Sequence, residues 1–345
     1  MRIAIVNDLR LAVEALRRAV ATIPGASVAW IAEDGAQAVA KCATDVPDII
    51  LMDMIMPVMD GVEATRRIMS ATPCPILVVT ATVDGNSARV FEALGAGALD
   101  AVETPGLGPG GSVERAEALV RKVNMIRMIA APRRAAAEPV VHMSGGKLAI
   151  GPIVAIGAST GGPQAIAQVL RAFPKPAPWP VVIVQHVDPQ FAAGLASWLT
   201  SETRHDVRIA QSGDLPLAGR IYIGATEDHV VLDEGGKLRH VSEPKEIVFR
   251  PSVDVFFDSL VTHHAAPGVA VVLTGMGRDG ANGLFNLRKA GWQTIAQDKA
   301  TSVVWGMPGA SVEVGAAGSV LPCDQIGGAI VQHMSRIVRH NGGHA

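Results

Sequence analysis

The sequence predicts an α/β protein made of two domains, each a doubly wound parallel sheet. Three observations predict it. Short β-rich runs alternate with amphipathic helical patterns along most of the chain, the pattern of parallel strands covered by helices. At 345 residues the chain exceeds what one hydrophobic core usually fills and fits two. Between the two alternating stretches, Ala131-Pro132-Arg133-Arg134-Ala135-Ala136-Ala137-Glu138-Pro139 has no apolar periodicity and reads as a linker running to about Gly146.

The first stretch opens with a strand over Arg2–Val6. Val13, Leu16 and Val20 then fall at helical spacing. Strands follow at Ser27–Ala32, 48–52, Ile76–Thr80 and 100–102, with helices at 36–44, Gly61–Ala71 and 87–94 between them. Pro105-Gly106-Leu107-Gly108-Pro109-Gly110-Gly111-Ser112 is a loop by its glycine and proline content, and residues 113–129 read as a helix. Five strands and five helices in strict order predict a right-handed, doubly wound sheet. After the linker come strands at 152–156, Val181–Gln185, 269–273 and Gln293–Gln297, with helices at 163–173, 190–201, 253–264 and 281–290. Residues 206–241 read as short strands with a hairpin signal at Glu234-Gly235-Gly236. The expected division is a first domain over 1–125, a linker over 126–147 and a second domain over 148–345, with a β-hairpin insertion and no internal repeat.

Composition narrows the function. Hydrophobic residues make up 49% and charged residues 18%, which excludes disorder over the whole chain. Lys and Arg number 30 against 32 Asp and Glu, so the chain lacks the basic field of a nucleic-acid binder. Cys42, Cys74 and Cys323 are far apart, with no zinc-ligand spacing or disulfide framework, and suit a reducing compartment. Mean hydropathy is +0.30, yet no run approaches the ~20 apolar residues of a spanning helix. Asp8 interrupts the first apolar run too early for a signal peptide. A soluble, cytoplasmic protein without membrane insertion is expected.

In parallel α/β sheets, sites gather at the carboxyl ends of strands. Asn7-Asp8 follow the first strand, Asp53 ends the third, and Thr80 ends the fourth. Either acid alone would more simply cap a helix or end a strand. Two carboxylates and a hydroxyl converging on one edge suit a hard cation such as Mg2+ with a phosphoryl group. The run Met52-Asp53-Met54-Ile55-Met56-Pro57-Val58-Met59-Asp60-Gly61 carries a resemblance to bacterial response-regulator receiver domains, which have a flavodoxin-like (βα)5 fold. The resemblance implies that Asp53 accepts a phosphoryl group from a histidine kinase. It implies that Asp8, Asp53 and the Ile55 carbonyl bind Mg2+, and that Thr80 senses the phosphate. Three positions depart from the pattern: Asn7 replaces a second acid, Thr104 a phosphate-pairing lysine, and Ala101 a common switch aromatic. Losing the lysine removes a charge-assisted bond to the phosphate.

The second stretch opens with Ile153-Val154-Ala155-Ile156-Gly157-Ala158-Ser159-Thr160-Gly161-Gly162-Pro163-Gln164, a strand, a tight turn and a helix start. Pro163 stands where a P-loop needs lysine, and the spacing of a Rossmann fingerprint is absent. The run does satisfy G-x-S-x-G, a weak pattern by itself. A serine nucleophile needs a base and an orienting acid. His186 ends the next strand in Val184-Gln185-His186-Val187-Asp188, and Asp279 follows another in Leu273-Thr274-Gly275-Met276-Gly277-Arg278-Asp279-Gly280. Each has a plainer reading: Ser159 and Asp279 as helix caps, His186 as a structural histidine. All three on one sheet edge favour a triad.

Those runs, with Arg250-Pro251-Ser252-Val253-Asp254 and Gly306-Met307-Pro308, resemble the catalytic domain of the chemotaxis protein-glutamate methylesterases. Receiver plus esterase is that family's architecture. The resemblance implies Ser159 as nucleophile, His186 as general base then acid, and Asp279 as its orienting partner. Thr160 and Met276 match positions near the reaction centre, with the Met276 backbone in the oxyanion hole. It implies hydrolysis of glutamate γ-methyl esters, and deamidation of glutamine, on a chemoreceptor-type protein. No metal or cofactor is expected at this centre, and receiver phosphorylation would relieve its cover over the site. Asn7-Asp8, Glu103-Thr104-Pro105 and Ala12-Val13-Glu14-Ala15-Leu16-Arg17-Arg18 look like the branch serving the Wsp surface-sensing pathway, whose kinase would be the partner. A non-catalytic scaffold that docks on receptor and kinase is the alternative. A small-ester hydrolase is disfavoured by the receiver and by the chain order Ser, His, Asp, and a DNA-binding output by the lack of a basic helix-turn-helix.

Overall fold

The computed structural model describes residues 1–80, 87–108, 112–129, 151–247, 249–263 and 266–341. From position 130 onward the expected linker, with Arg133 and Arg134, lies outside the described residues. The chain divides into two compact units, Met1–Ala135 and Ala136–Ala345.

The first unit runs β1 (Arg2–Val6), α1 (Arg10–Ala21), β2 (Ser27–Ala32), α2 (Gly35–Thr44), β3 (Ile49–Asp53), α3 (Gly61–Ala71), β4 (Ile76–Thr80), α4 (Ser87–Gly95), β5 (Asp100–Glu103), β6 (Gly106–Leu107), β7 (Val113–Glu114) and α5 (Glu117–Ile129). The sheet order is β2-β1-β3-β4-β5, all parallel. Ile3, Ile5, Leu51, Leu77 and Val79 are fully buried, with Leu16, Val20, Leu119 and Val123 packed in the same core cluster. That double-sided burial is why these strands read as continuous apolar runs. Asp34 and Asp60 cap α2 and α3, accepting from Gln37 N–H at 2.8 Å and Glu63 N–H at 2.9 Å.

Residues 113–129 are not one helix. Val113 and Glu114 pair antiparallel with Leu107 and Gly106, and Arg115 takes a left-handed φ of 59° before α5 begins. Apolar residues at 113, 116, 119 and 120 fit a helical face, and that face concealed the two-residue ribbon.

The second unit runs β8 (Val154–Ala158), α6 (Gly162–Arg171), β9 (Val181–Gln185), α7 (Ala192–Thr203), β10 (Asp206–Ile209), β11 (Arg220–Gly224), β12 (His229–Leu232), β13 (Leu238–Val241), α8 (Val253–His263), β14 (Val269–Val272), α9 (Ala281–Lys289), β15 (Gln293–Gln297), α10 (Met307–Glu313), β16 (Ser319–Leu321) and α11 (Cys323–Asn341). Seven strands form a parallel sheet in the order β10-β11-β9-β8-β14-β15-β16. Of the four short strands in 206–241, β12 and β13 form the hairpin, turning at the expected Glu234-Gly235-Gly236. β10 and β11 extend the main sheet, joined by a crossover without a helix through Gly213 and Gly219. The chain leaves β8 toward β9 and later returns to β14 on its other side. The switch point therefore lies between β8 and β14, and its crevice opens at their carboxyl ends.

Candidate active site

Gly157 pairs with Val272 across β8 and β14, so the two chains leave the sheet side by side. Ser159 N–H donates to Thr274 O at 3.0 Å, and His186 N–H donates to Ala158 O at 3.0 Å. Backbone bonds thus bring the turns after β8, β9 and β14 onto one edge. Gln185 is buried beneath them and donates from Nε2 to Ser159 O at 2.9 Å and His186 O at 3.0 Å. Thr274 Oγ1 donates to Thr160 O at 2.9 Å and accepts from Val304 N–H at 2.9 Å. The serine turn is held from below by two buried side chains, Gln185 and Thr274.

Two glycines are required here. Gly161 has φ +76°, and a Cβ there would stand 2.7 Å from Val303 Cβ. A Cβ on Gly275 would stand 2.8 Å from Ser159 Cβ and 2.3 Å from Met307 Sδ. The helix-capping readings fail: α6 is capped by Gly161 and α9 by Gly280, neither with a side-chain bond. Ser159 is 5% exposed and is spared for other work.

His186 Nε2 lies 2.8 Å from Asp279 Oδ2. The carboxylate only accepts, so Nε2 carries the proton and Nδ1 is the lone-pair nitrogen. Nδ1 is buried and has no partner among the described residues. Ser159 Oγ is not hydrogen-bonded to it, so the nucleophile and base are neighbours through the backbone without their reactive contact. Such contacts are often long before substrate binds. Phe249 stacks on the imidazole at 4.9 Å between centroids and 5° between planes.

Asp279 accepts three further bonds: from Ser252 Oγ at 2.7 Å, Val253 N–H at 2.7 Å and Asp254 N–H at 3.0 Å. Its carboxylate sits on the N-terminus of α8, where unpaired amides and the helix dipole favour an anion. Burial pushes this carboxyl up, but His186 and the amides of Asp254 and Val253 outweigh it and hold it below the usual range. Asp254, by contrast, is pushed up to about 7 by burial and then by the Asp279 charge.

Thr160 and Met276 are both buried beside this turn. Their backbone N–H groups have no acceptor among the described residues. Backbone amides left unpaired beside such a turn are what an oxyanion needs.

On the first unit, Asp53 ends β3 at the corresponding switch point between β1 and β3. Asp8 follows β1 and is exposed; α1 has Leu9 at its cap with no side-chain bond, so Asp8 caps nothing. Asn7 is turned inward and accepts from Leu9 N–H at 2.8 Å. Asp53 is pushed up to about 6, first by burial and then by the Asp8 charge, against the pull of the Met54 and Ile55 amides. A carboxyl raised by burial and by a neighbouring acid's charge fits a divalent cation, which would relieve that cost. Thr80 is buried at the end of β4, and its carbonyl accepts from Thr104 N–H at 2.9 Å. Among the described residues no cluster of three His, Cys, Asp or Glu side chains could hold a metal, so the cation site would draw on the Ile55 carbonyl and water.

Three contributors escaped sequence reasoning: Ser252, Phe249 and Gln185. A serine just before an apolar helix start is a cap signal, and Ser252 Oγ does accept from Val255 N–H at 3.3 Å. Its second bond, to an acid 27 residues onward, has no local signature.

The chain matches the CheB methylesterase family over residues 154–330 and the Response regulator receiver domain family over residues 3–106. It is 51% identical to protein-glutamate methylesterase/protein-glutamine glutaminase 4 of Burkholderia thailandensis, over 97% of this chain and 98% of that one. It is 49% identical to protein-glutamate methylesterase/protein-glutamine glutaminase 3 of Pseudomonas aeruginosa, over 94% and 97%. The crystal structure of the Thermotoga maritima CheB methylesterase catalytic domain is similar at 37% identity, with a TM-score of 0.50, covering 53% of this chain and 98% of that one. With a receiver sheet ahead of a methylesterase sheet, and relatives matched nearly end to end, the chain belongs to the CheB family of receiver-linked protein-glutamate methylesterases/protein-glutamine glutaminases.

Proposed function

We propose that this protein hydrolyses glutamate γ-methyl esters on a methylated chemoreceptor-type protein, deamidates glutamines there, and is gated by phosphorylation of Asp53. The single observation that carries the catalytic reading is the His186–Asp279 hydrogen bond of 2.8 Å, which leaves a buried, unpartnered Nδ1 beside the Ser159 turn.

Ser159 Oγ attacks the ester carbonyl carbon as His186 Nδ1 takes its proton. The carbonyl oxygen becomes an oxyanion and receives the amides of Thr160 and Met276. Collapse breaks the carbon–methoxy bond, and His186 returns its proton so that methanol leaves. Water then attacks the acyl-serine as His186 takes its proton; the second tetrahedral intermediate breaks its bond to Ser159 Oγ, which recovers the proton from His186, and the glutamate side chain departs as the acid and ionises in water. With glutamine the leaving group is ammonia. Asp279 keeps the ring in the tautomer that frees Nδ1 and balances the imidazolium.

On the receiver, Asp53 accepts the phosphoryl group from a histidine kinase. Asp8, Asp53 and the Ile55 carbonyl would hold Mg2+, which would supply charge neutralisation for the transferring group. Thr80 bonds the phosphate. The domains are read as receiver 1–125, linker 126–147 and esterase 148–345. Among the described residues no helix is long and apolar enough to cross a membrane, which supports a cytoplasmic enzyme acting on the inner face of receptors. The Asn7-Asp8, Glu103-Thr104-Pro105 and Ala12–Arg18 runs support the Wsp surface-sensing branch, whose output is cyclic-di-GMP; a deletion strain with unchanged cyclic-di-GMP would remove that branch.

The test is methanol release from membranes whose receptors carry labelled methyl esters. Ser159→Ala is expected to lose at least about a thousandfold in rate. Equal release by wild type and Ser159→Ala would sink the serine mechanism, and no release by either would leave the docking scaffold.

A further inference from the structure

Behind the His186–Asp279 pair lies a second line of buried bonds. Ser252 is fully buried and donates from Oγ to Asp279 Oδ1 at 2.7 Å. Its backbone N–H donates to His229 Nδ1 at 3.1 Å. His229, also fully buried, therefore carries its proton on Nε2, which donates to Pro244 O at 3.2 Å. His229 opens β12, Ser252 precedes α8, and Asp279 follows β14, so the chain of bonds ties the hairpin to the triad acid.

We infer that Ser252 and His229 are positioning residues for the esterase: His229 fixes the Ser252 backbone, and Ser252 fixes which carboxylate oxygen of Asp279 faces His186. The inference rests on the triad reading above.

The geometry explains why each is needed. Asp279 has two oxygens, and only Oδ2 receives His186. Oδ1 is occupied by Ser252 Oγ and Asp254 N–H. Without the hydroxyl, the carboxylate keeps its two amides but gains freedom to turn about its last bond. His186 then loses the fixed acceptor that sets its ring plane and tautomer. Ser252 and His229 are both fully buried and closed to a docking substrate, so the effect falls on turnover rather than on binding.

The experiment measures kcat and KM for methanol release from labelled receptor membranes, using the full chain. Four variants are compared: Ser252→Ala, Ser252→Thr, His229→Phe and Ser159→Ala. Thermal melting of each is recorded alongside. Ser252→Ala is expected to lose about tenfold in kcat, the size of one charge-assisted hydrogen bond, with KM within twofold. Ser252→Thr restores a hydroxyl and is expected to recover most of it. His229→Phe keeps the ring but not the acceptor and is expected to lower kcat in the same manner. An Ser252→Ala rate within twofold of wild type overturns the inference, as does a Ser252→Thr variant no better than Ser252→Ala while melting like wild type. If Ser159→Ala keeps its activity, the triad reading itself has failed, whatever the Ser252 variants show.

Discussion

His186 can act as a base from only one of its two nitrogens, and Asp279 decides which. The acid is fixed by four donors, so the choice is made before substrate arrives. Asp53 is the opposite case, a carboxyl kept uncomfortable until its partners come. Its folded value of about 6 lies above the ordinary value of 3.8, so ionisation costs stability. That cost is absent below the unfolded value and grows as pH rises through about 6. The metal-free receiver should therefore lose melting temperature between pH 4 and pH 7 at this site. Asp53→Asn should flatten that slope, and Mg2+ at pH 8 should recover the loss in wild type but not in Asp53→Asn. A wild-type slope unchanged by Asp53→Asn would contradict the assignment. The placement of Ser159, His186, Asp279, Asp8 and Asp53 at strand ends was legible in the sequence, because each follows or closes a buried apolar run. Ser252 was not, because a serine before a helix has a sufficient local role and its distant partner shows only in three dimensions.

At the scale of elements, the site is made by the turns after β8, β9 and β14 and by the N-terminus of α8. The glycines in those turns are contact points. Gly275→Ala should cut methanol release by at least tenfold while the protein still folds, because the new methyl meets Ser159 Cβ and Met307 Sδ within 3 Å. A variant with wild-type turnover would show that the turn has slack that these distances deny. Strands buried on both faces announced themselves as Val/Ile/Leu runs, and most boundaries read from them fall within two residues of those found. β10 and β11 read only as short strands, and their place in the main sheet was hidden for a physical reason. Parallel neighbours usually need a helix between them, and this crossover has glycines and a proline instead, the same residues that mark hairpins. The Val113–Glu114 ribbon is too short to show a period.

For the whole molecule, two sheets of like design set their candidate sites at the same kind of place, a strand-end crevice at a switch point. The match of relatives over 97% of the chain ties both units into one protein, and the proposal joins them as switch and enzyme. With departures at Asn7, Ala101 and Thr104, the proposal takes Asp53, Asp8 and Thr80 as the phosphorylation set, and Ser159, His186 and Asp279 as the set they would control. The most direct measurement is the rate of methanol release from methylated receptor membranes by the full chain, with and without acetyl phosphate and Mg2+, for wild type, Asp53→Asn and Ser159→Ala. A gated esterase predicts a rate that rises severalfold with the phosphoryl donor in wild type, stays at the basal value in Asp53→Asn, and vanishes in Ser159→Ala. Release that is the same in wild type and Asp53→Asn with the donor present would contradict the gating, and release that survives Ser159→Ala would contradict the chemistry.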